Sequence, residues 1–155
     1  MDINTAFLDS VIEETIYVEQ PEGYEVSGKE DFICLLRKTL YGLKQSPCAW
    51  FRLIASVLVD FDFQQCDSDP CIFIHKNDKG EQTFIALYID DLLIADDNEE
   101  DITTIKQRLS EHFEMKNLRI ASKFLGIEIE YGEDGSIKIH KNQYIRPTPR
   151  TSWHG

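Results

Sequence analysis

Short apolar runs of strand length occupy the middle of this chain. Residues 83–88 and 92–95 are two such runs, and only three residues separate them. A third strand is predicted at residues 71–75, and a turn at residues 77–80 follows it. These runs are too apolar to lie at a solvated edge, so we expect them near the centre of a sheet.

Two segments carry apolar residues at helical spacing. Ser46 predicts an N-cap, and Pro47 suits the first helical position, where its missing N–H costs nothing. A second helix is predicted from about residue 99 to 113, with Asp97 or Asn98 as its cap. The apolar face of the first helix consists of Trp50, Leu53, Ile54, Val57, Leu58 and Phe61.

The remaining pattern is one of short strands and loops. Residues 1–8 suit a strand end that turns into a helix, and residues 20–29 suit a loop because they are polar and contain proline and glycine. Further strands are predicted at residues 16–18, 32–36, 124–131 and 136–140. Irregular alternation of strands with two helices predicts an α+β fold, an antiparallel sheet with helices packed on one face.

Length, hydropathy and charge narrow the class of protein. A chain of 155 residues suits one domain with a sizeable core. No apolar run is long enough for a membrane helix, and no signal segment opens the chain, so we expect no membrane association and an intracellular location. The net charge of −12 opposes generic nucleic-acid binding, which usually leaves a basic footprint.

Asp90 and Asp91 are adjacent carboxylates between two apolar strands. Burial of unpaired carboxylates is costly, and neighbouring carboxylates repel each other. One explanation is a turn in which aspartate caps backbone groups. The other is a hard dication such as magnesium, because a third carboxylate would allow two ions to be held roughly 4 Å apart for phosphoryl displacement. Asp2 is the available third carboxylate.

Six segments stand out in chain order: MDINTAFL, IYVEQPEGY, LYGLKQSPCAW, SDPCIFI, YIDD and FLGIEI. Together they resemble the reverse transcriptase of copia-type LTR retrotransposons. The similarity extends from residue 1 to about residue 145, whereas residues 146–155 look like an unrelated tail. It implies a reverse transcriptase palm of ferredoxin-like type with part of the fingers.

The resemblance implies a catalytic role for the three aspartates. Asp2 and Asp90 match the metal-binding aspartates of the family, and Asp91 matches the less critical neighbour. The implied cofactor is Mg²⁺ or Mn²⁺. Lys116 lies where a basic residue would donate a proton to departing pyrophosphate, as the general acid.

The resemblance also implies substrate contacts. Phe7 matches an aromatic that excludes a ribose 2′-OH, although residue type alone also suits a core aromatic. Gly42, Ser46 and Pro47 match the element that lines nucleotide and template, and Tyr41 replaces the glutamine that often precedes that glycine. The implied primer grip consists of Phe124, Leu125 and Gly126.

The implied function is RNA-directed DNA polymerisation on a primer–template with deoxynucleotides. The chain opens one residue before Asp2, and the upstream fingers and the downstream thumb of the family have no counterpart here. Cys48 also replaces a basic residue that usually follows the proline of this motif. We therefore expect weak or no polymerisation by the chain alone. The alternative is a non-catalytic remnant or interaction module that keeps the palm.

Overall fold

A computed structural model describes residues 1–141 of the chain. Its helices are α1 (Ala6–Asp9), α2 (Ser46–Asp60) and α3 (Glu99–His112). Its strands are β1 (Asp2–Ile3), β2 (Tyr17–Glu19), β3 (Ile33–Leu35), β4 (Gln64–Gln65), β5 (Ile72–Lys76), β6 (Gln82–Tyr88), β7 (Asp91–Ala95), β8 (Met115–Lys116), β9 (Lys123–Phe124), β10 (Ile127–Tyr131) and β11 (Ile137–His140). The fold is α+β, as the pattern predicts.

Six strands form an antiparallel sheet in the order β4-β5-β6-β7-β1-β8. The two apolar runs of the sequence form β6 and β7, which lie side by side at its centre and confirm the predicted placement. β4 and β8 form the edges, and each is only two residues long. Such short segments have no periodicity, which is why the sequence pattern does not reveal them.

One face of this sheet is covered by α2 and α3. Strand residues such as Phe73, Ile85 and Leu92 share a single apolar cluster with the buried faces of both helices. Full burial of a large apolar side chain stabilises a fold by roughly 1.5–3 kcal/mol, so this cluster is the main source of stability here. The helical contributors that are fully or nearly fully buried are Trp50, Ile54, Leu58 and Leu109.

The ends of the two long helices differ in how well the sequence predicts them. Asn98 caps α3, because its side chain accepts a hydrogen bond from the Glu100 N–H at 3.0 Å. The prediction of Ser46 as N-cap of α2 is wrong. Gln45 occupies that position without a side-chain hydrogen bond, and Ser46 is buried in the first turn. No helix within residues 1–141 combines the length and the apolar character needed to cross a membrane.

A separate two-stranded ribbon is formed by β2 and β3. The loop between them is organised by the Gln20 side chain, which donates to the carbonyls of Lys29 at 2.7 Å and Phe32 at 2.9 Å. The same side chain accepts from the Val26 N–H at 2.9 Å. The predicted loop and its flanking strands are therefore present, with boundaries shifted by one or two residues.

The chain divides into two compact units, the first ending at Asn117 and the second beginning at Leu118. The second contains a three-stranded antiparallel sheet in the order β11-β10-β9. The prediction of one strand over residues 124–131 is wrong, because Leu125 and Gly126 have φ angles of 49° and 77° and turn the chain back. The predicted pairing of residues 136–140 with the preceding strand is confirmed. The predicted tail, residues 146–155, and its junction at residue 145 lie outside the described residues.

Candidate active site

Four residues form a row across the centre of the six-stranded sheet. Asp2 lies directly opposite Asp91 on one side and Lys116 on the other. Asp91 in turn lies opposite Tyr88. Directly opposite residues of antiparallel strands project from the same face. We call Tyr88, Asp91, Asp2 and Lys116 the aspartate row.

The aspartate row lies on the sheet face that the helices leave uncovered. Ile3 and Leu92, the strand neighbours of Asp2 and Asp91, are both buried in the core beneath the helices. Because side chains alternate between the two faces of a strand, Asp2 and Asp91 project from the opposite face. A polar row on an otherwise apolar pair of strands is therefore accessible from outside the core.

The hydrogen-bond ladder brings Asp2 and Asp91 close together. Met1 and Leu92 exchange two backbone hydrogen bonds, and the Ile3 N–H donates to the Asp90 carbonyl at 2.9 Å. Asp2 and Asp91 therefore form a non-hydrogen-bonded pair, the type in which opposite Cα atoms lie only about 4.5 Å apart. The backbone register thus places the two carboxylates side by side, with Asp90 in the adjoining turn.

The turn that carries Asp90 has an unusual conformation. Only Ile89 and Asp90 separate β6 from β7. Ile89 has a φ angle of 55°, which is a genuine outlier for a β-branched residue. Such a conformation costs of order 1–3 kcal/mol and persists only where the surrounding structure holds it. The holding contact is a hydrogen bond of 2.6 Å from the Trp50 indole N–H to the Ile89 carbonyl.

The charges of Asp2 and Asp90 act on the Asp91 carboxylate. Partial burial raises the pKa of Asp91, and the negative charges of Asp90 and Asp2 raise it further. The Met1 amino group opposes this rise in the pKa of Asp91 only in part. The ionised form of Asp91 is therefore destabilised, as expected of a carboxylate whose neighbouring negative charges are not fully compensated.

The present side-chain positions do not form a closed metal cage. Within residues 1–141, no group of three or more His, Cys, Asp or Glu side chains is arranged to hold a metal ion. The donor chemistry nevertheless suits a hard dication, because Asp2 and Asp91 lie side by side with Asp90 in the adjoining turn, and the charges of Asp2 and Asp90 raise the pKa of Asp91. The fit rests on the backbone register and the donor types, and not on the rotamers.

Two of the predicted nucleotide-binding residues, Phe7 and Tyr41, pack against each other. Phe7 is buried in α1, and its ring packs against Tyr41 with a centroid distance of 4.7 Å. The Phe7 carbonyl accepts a hydrogen bond from the buried Thr39 hydroxyl. Phe7, the residue expected to exclude a ribose 2′-OH, is therefore in direct contact with Tyr41, the residue before Gly42.

Gly42 and Ser46 shape the loop that leads into α2. Gly42 has a φ angle of 91° with no heavy atom near the position of a Cβ, so its conformation, and not crowding, requires glycine. The Ser46 hydroxyl donates to the Leu40 carbonyl and closes the loop from within. Ser46 is fully buried, so in this structure its hydroxyl stabilises the loop and is not exposed to a ligand.

An apolar cavity of about 230 Å³ lies beside the turn that carries Asp90. It is smaller than most small-molecule sites, so it is a recess and not a complete binding pocket. The cavity lies between Phe7, the first turn of α2 and the end of β6. Its lining residues are Phe7, Pro47, Trp50, Phe51, Cys71, Leu87, Tyr88 and Ile89.

The predicted primer-grip residues lie in the second unit. Phe124 ends β9, and Leu125 and Gly126 form the two-residue turn to β10. Leu125 is 47% exposed, so the tip of this turn is open to contact. The turn is a hairpin, as the resemblance implies.

Trp50 has a role at the site that the sequence pattern does not reveal. Its spacing marks it as a core position, and it is indeed 1% exposed. Its indole N–H, however, bonds to the strained turn next to Asp90. The available signal was that buried tryptophan usually finds an acceptor for its N–H, but the sequence does not show which one.

Comparison with known proteins identifies the class to which this fold and this row of carboxylates belong. The chain matches the family described as reverse transcriptase (RNA-dependent DNA polymerase) over residues 1–148, and it belongs to that family. Within the family, its relatives place it with the copia-type retrotransposons. No solved structure gives a significant match.

Three relatives illustrate the similarity. The Pol polyprotein from transposon TNT 1-94 of Nicotiana tabacum is 40% identical over 83% of this chain and 10% of its own length. The transposon Ty5-1 protein of Saccharomyces cerevisiae is 34% identical over 94% of this chain and 47% of its own length. The Pol polyprotein from transposon RE1 of Arabidopsis thaliana is 31% identical over 94% of this chain and 10% of its own length. The chain thus spans less than half of each relative.

Proposed function

We propose that this chain is the palm portion of a copia-type reverse transcriptase, with a sheet of ferredoxin-like type and part of the fingers. The parent enzyme extends a primer with deoxynucleotides on an RNA template. The observation that carries the proposal is the register that sets Asp2 beside Asp91, next to the turn with Asp90. Family membership supports the same reaction.

In this proposal Asp2, Asp90 and Asp91 hold Mg²⁺ or Mn²⁺. Bound ions lower the cost of deprotonating the primer 3′-OH and neutralise charge on the triphosphate. The carboxylates supply hard oxygen ligands, and the raised pKa of Asp91 supports the need for a cation at this position. In this proposal Asp2 supplies its carboxylate from β1, and Asp90 supplies its carboxylate from the turn between β6 and β7.

The same proposal assigns the apolar recess to the nucleotide and the template. Phe7 excludes a 2′-OH by its bulk, and its contact with Tyr41 at 4.7 Å fixes the ring. Pro47 lines the recess, and Gly42 allows the backbone of the loop to approach a ligand closely. Ser46 contributes by bracing that loop through Leu40, and not by direct contact.

Two further roles are assigned separately, one in each compact unit. Lys116 lies directly opposite Asp2, on the same face as the aspartates, where an ammonium group could donate a proton to pyrophosphate. The turn at Phe124, Leu125 and Gly126 contacts the primer end in the parent enzyme. Its exposed tip supports that role.

We further propose that this portion alone polymerises weakly or not at all. Positioning supplies a large share of such catalysis, roughly 7–11 kcal/mol in favourable cases. The relatives are more than twice as long as the matched region, and the net charge of −12 disfavours binding to a polyanion. The other portions of the parent protein are therefore expected to supply most contacts to the primer–template.

A metal-dependent melting experiment tests the site directly. Thermal unfolding is followed with and without millimolar Mg²⁺ or Mn²⁺ for the wild type, Asp90→Asn and the matched control Asp97→Asn. Asp97 is an exposed carboxylate seven positions after Asp90. We expect the metal to raise the Tm of the wild type and the control, and to raise that of Asp90→Asn far less. Equal gains in all three proteins would contradict the proposal.

A primer-extension assay on an RNA template tests the activity. The chain is assayed alone and fused to the flanking Pol regions of a relative, with Asp90→Asn as the blank in both cases. We expect extension above the blank only in the fused protein. Extension in neither form would favour the non-catalytic remnant, and strong extension by the chain alone would show that the palm is sufficient.

A further inference from the structure

Helix α2 presents two buried hydrogen-bond donors one turn apart. Ser46 and Trp50 are separated by four positions, so they lie on the same helix face. The Ser46 hydroxyl donates to the Leu40 carbonyl, and the Trp50 indole N–H donates to the Ile89 carbonyl at 2.6 Å. One helix face therefore holds both the loop into α2 and the turn that carries Asp90.

The Trp50 side chain is itself fixed from several sides. It is 1% exposed, and its ring meets Phe113 edge to face at a centroid distance of 5.2 Å. Phe113 is anchored at the end of α3, where its N–H donates to the Leu109 carbonyl at 2.9 Å. The indole N–H is therefore aimed at one place and cannot swing to another acceptor without disturbing the core.

The turn needs such an anchor. Ile89 has a φ angle of 55°, which a β-branched residue adopts only under constraint. Its carbonyl is held by Trp50, and the next carbonyl, that of Asp90, is held by the Ile3 N–H at 2.9 Å. These two bonds fix the peptide planes on both sides of the Asp90 Cα, and thus the direction in which its carboxylate leaves the backbone.

We propose that Trp50 is a positioning residue that fixes the turn carrying Asp90 and thereby sets the metal affinity of that carboxylate. The proposal rests on the proposed function, since it takes Asp90 to be a metal ligand. Trp50 does not contact metal or substrate in this scheme. It acts through the Ile89 carbonyl, in the way that partners behind a metal ligand commonly orient it.

The first test separates the hydrogen bond from core packing. Trp50→Phe removes the N–H but keeps an aromatic ring, and Ile54→Val, one turn further along the buried face, trims the core and leaves the N–H intact. Mn²⁺ binding is measured by calorimetry for both variants, the wild type and Asp90→Asn, each shown to be folded by circular dichroism. We expect Trp50→Phe to weaken binding about tenfold and Ile54→Val to leave it nearly unchanged.

The second test does not depend on metal. In a Trp153→Phe background, the remaining indole N–H signal is that of Trp50. We expect this proton to exchange slowly with solvent, and we expect Trp50→Phe to shift the amide signals of Ile89 and Asp90 more than Ile54→Val does. Rapid indole exchange would overturn the positioning role, and this measurement does not depend on the folding of Trp50→Phe because the protein used keeps Trp50. Equal amide shifts in both variants would also overturn the role.

The two tests distinguish the inference from the function on which it rests. Equal Mn²⁺ binding by the wild type and Asp90→Asn would overturn the proposed metal site, and the exchange experiment would then decide the role of Trp50 in the turn. Binding that depends on Asp90 but is the same in Trp50→Phe and the wild type would overturn the inference and leave the metal site intact.

Discussion

Two hairpin turns of equal length both contain positive φ angles, but different features of the structure accompany them. Ile89 and Asp90 join β6 to β7, whereas Leu125 and Gly126 join β9 to β10. The first turn places a β-branched residue at a φ angle of 55°, and a hydrogen bond from Trp50 holds its carbonyl. The second turn uses positive φ angles at both positions, one of them a glycine, for which such angles are easy.

The difference separates a turn held by tertiary structure from a turn held by its own residues. The positive φ angles of Leu125 and Gly126 match the favoured type of two-residue hairpin turn, and glycine supplies one of them without strain. The Ile89 conformation is unfavourable locally, and a helix more than thirty residues away in sequence maintains it. Strain of this kind is typical of functional sites, and here it adjoins the candidate metal ligand.

The largest expected effect is that of removing the tertiary anchor. Trp50→Ala should lower the free energy of unfolding by about 3–5 kcal/mol, because it deletes a fully buried aromatic side chain and leaves the Ile89 carbonyl without its donor. Leu125→Ala should change it by no more than about 0.5 kcal/mol, because the side chain is exposed. Urea denaturation followed by circular dichroism measures both. Similar losses would refute the comparison.

The local turn should be sensitive to its glycine. Gly126 has a φ angle of 77° and nothing near the position of a Cβ, so Gly126→Ala meets conformational strain but no clash. We expect it to destabilise the three-stranded sheet by about 1–2 kcal/mol. Amide hydrogen exchange in β10 and β11 measures this loss. Unchanged exchange would show that contacts elsewhere hold this turn as well.

The strained turn should respond in the opposite direction. Ile89→Gly removes the unfavourable φ of a β-branched residue, and the greater freedom of glycine in the unfolded chain offsets part of the gain. We expect the free energy of unfolding to rise by about 1 kcal/mol. Chemical denaturation of the variant beside the wild type measures it, and a loss of stability would mean that Ile89 is not strained in solution.

Charge relief in the aspartate row should have a smaller effect. The pKa of Asp91 is raised by burial and by Asp90 and Asp2, so the folded state binds its proton more tightly than the unfolded state. Stability therefore falls as pH rises from about 3.8 through the higher folded pKa. Asp91→Asn should stabilise the fold by about 0.2–1 kcal/mol at neutral pH and have little effect under strongly acidic conditions.

Denaturation of Asp91→Asn and the wild type at the two pH values checks this expectation. Saturating Mg²⁺ should stabilise the wild type more than the variant and reduce the difference at neutral pH. A difference that is independent of pH and of metal would mean that Asp91 is neither charged nor crowded by its neighbours.

The second unit should show a weak pH dependence of opposite sign. The His140 imidazole lies 2.8 Å from Glu128 and 2.9 Å from Glu130, and its hydrogen bond and charge lower the pKa of Glu130. This contribution to stability is present above the ordinary pKa of about 4.5 and is lost as pH falls through the lower folded pKa. Amide exchange in β10 and β11 during acidification measures it.

A substitution identifies the source of that dependence. His140→Asn should remove the acid sensitivity of β10 and β11, because Glu130 loses the partner that lowers its pKa. Acid sensitivity that survives the substitution would assign the effect to other groups, such as the Lys138 contact at 3.7 Å.

Local pattern predicted most of the framework. Helical spacing revealed α2 and α3, and of the two predicted caps of α3, Asp97 and Asn98, the structure uses Asn98. Strand pattern located β6 and β7, because residues buried on a central strand must be apolar. It failed at Ser46, whose hydroxyl donates to the Leu40 carbonyl instead of capping the helix. It also failed at residues 124–131, where positive φ angles at Leu125 and Gly126 interrupt a segment of strand-forming residues.

The sequence by itself determined the family, through its motifs, and it left two explanations for the adjacent carboxylates between apolar strands, a turn or a cation. Only the tertiary structure decided that Asp2 lies beside Asp91 and that Trp50 holds the turn. β1 has two residues and no periodicity of its own, and a buried N–H can bond to any carbonyl that packing brings near. Contacts between segments far apart in the chain depend on the shared core, which no local pattern specifies.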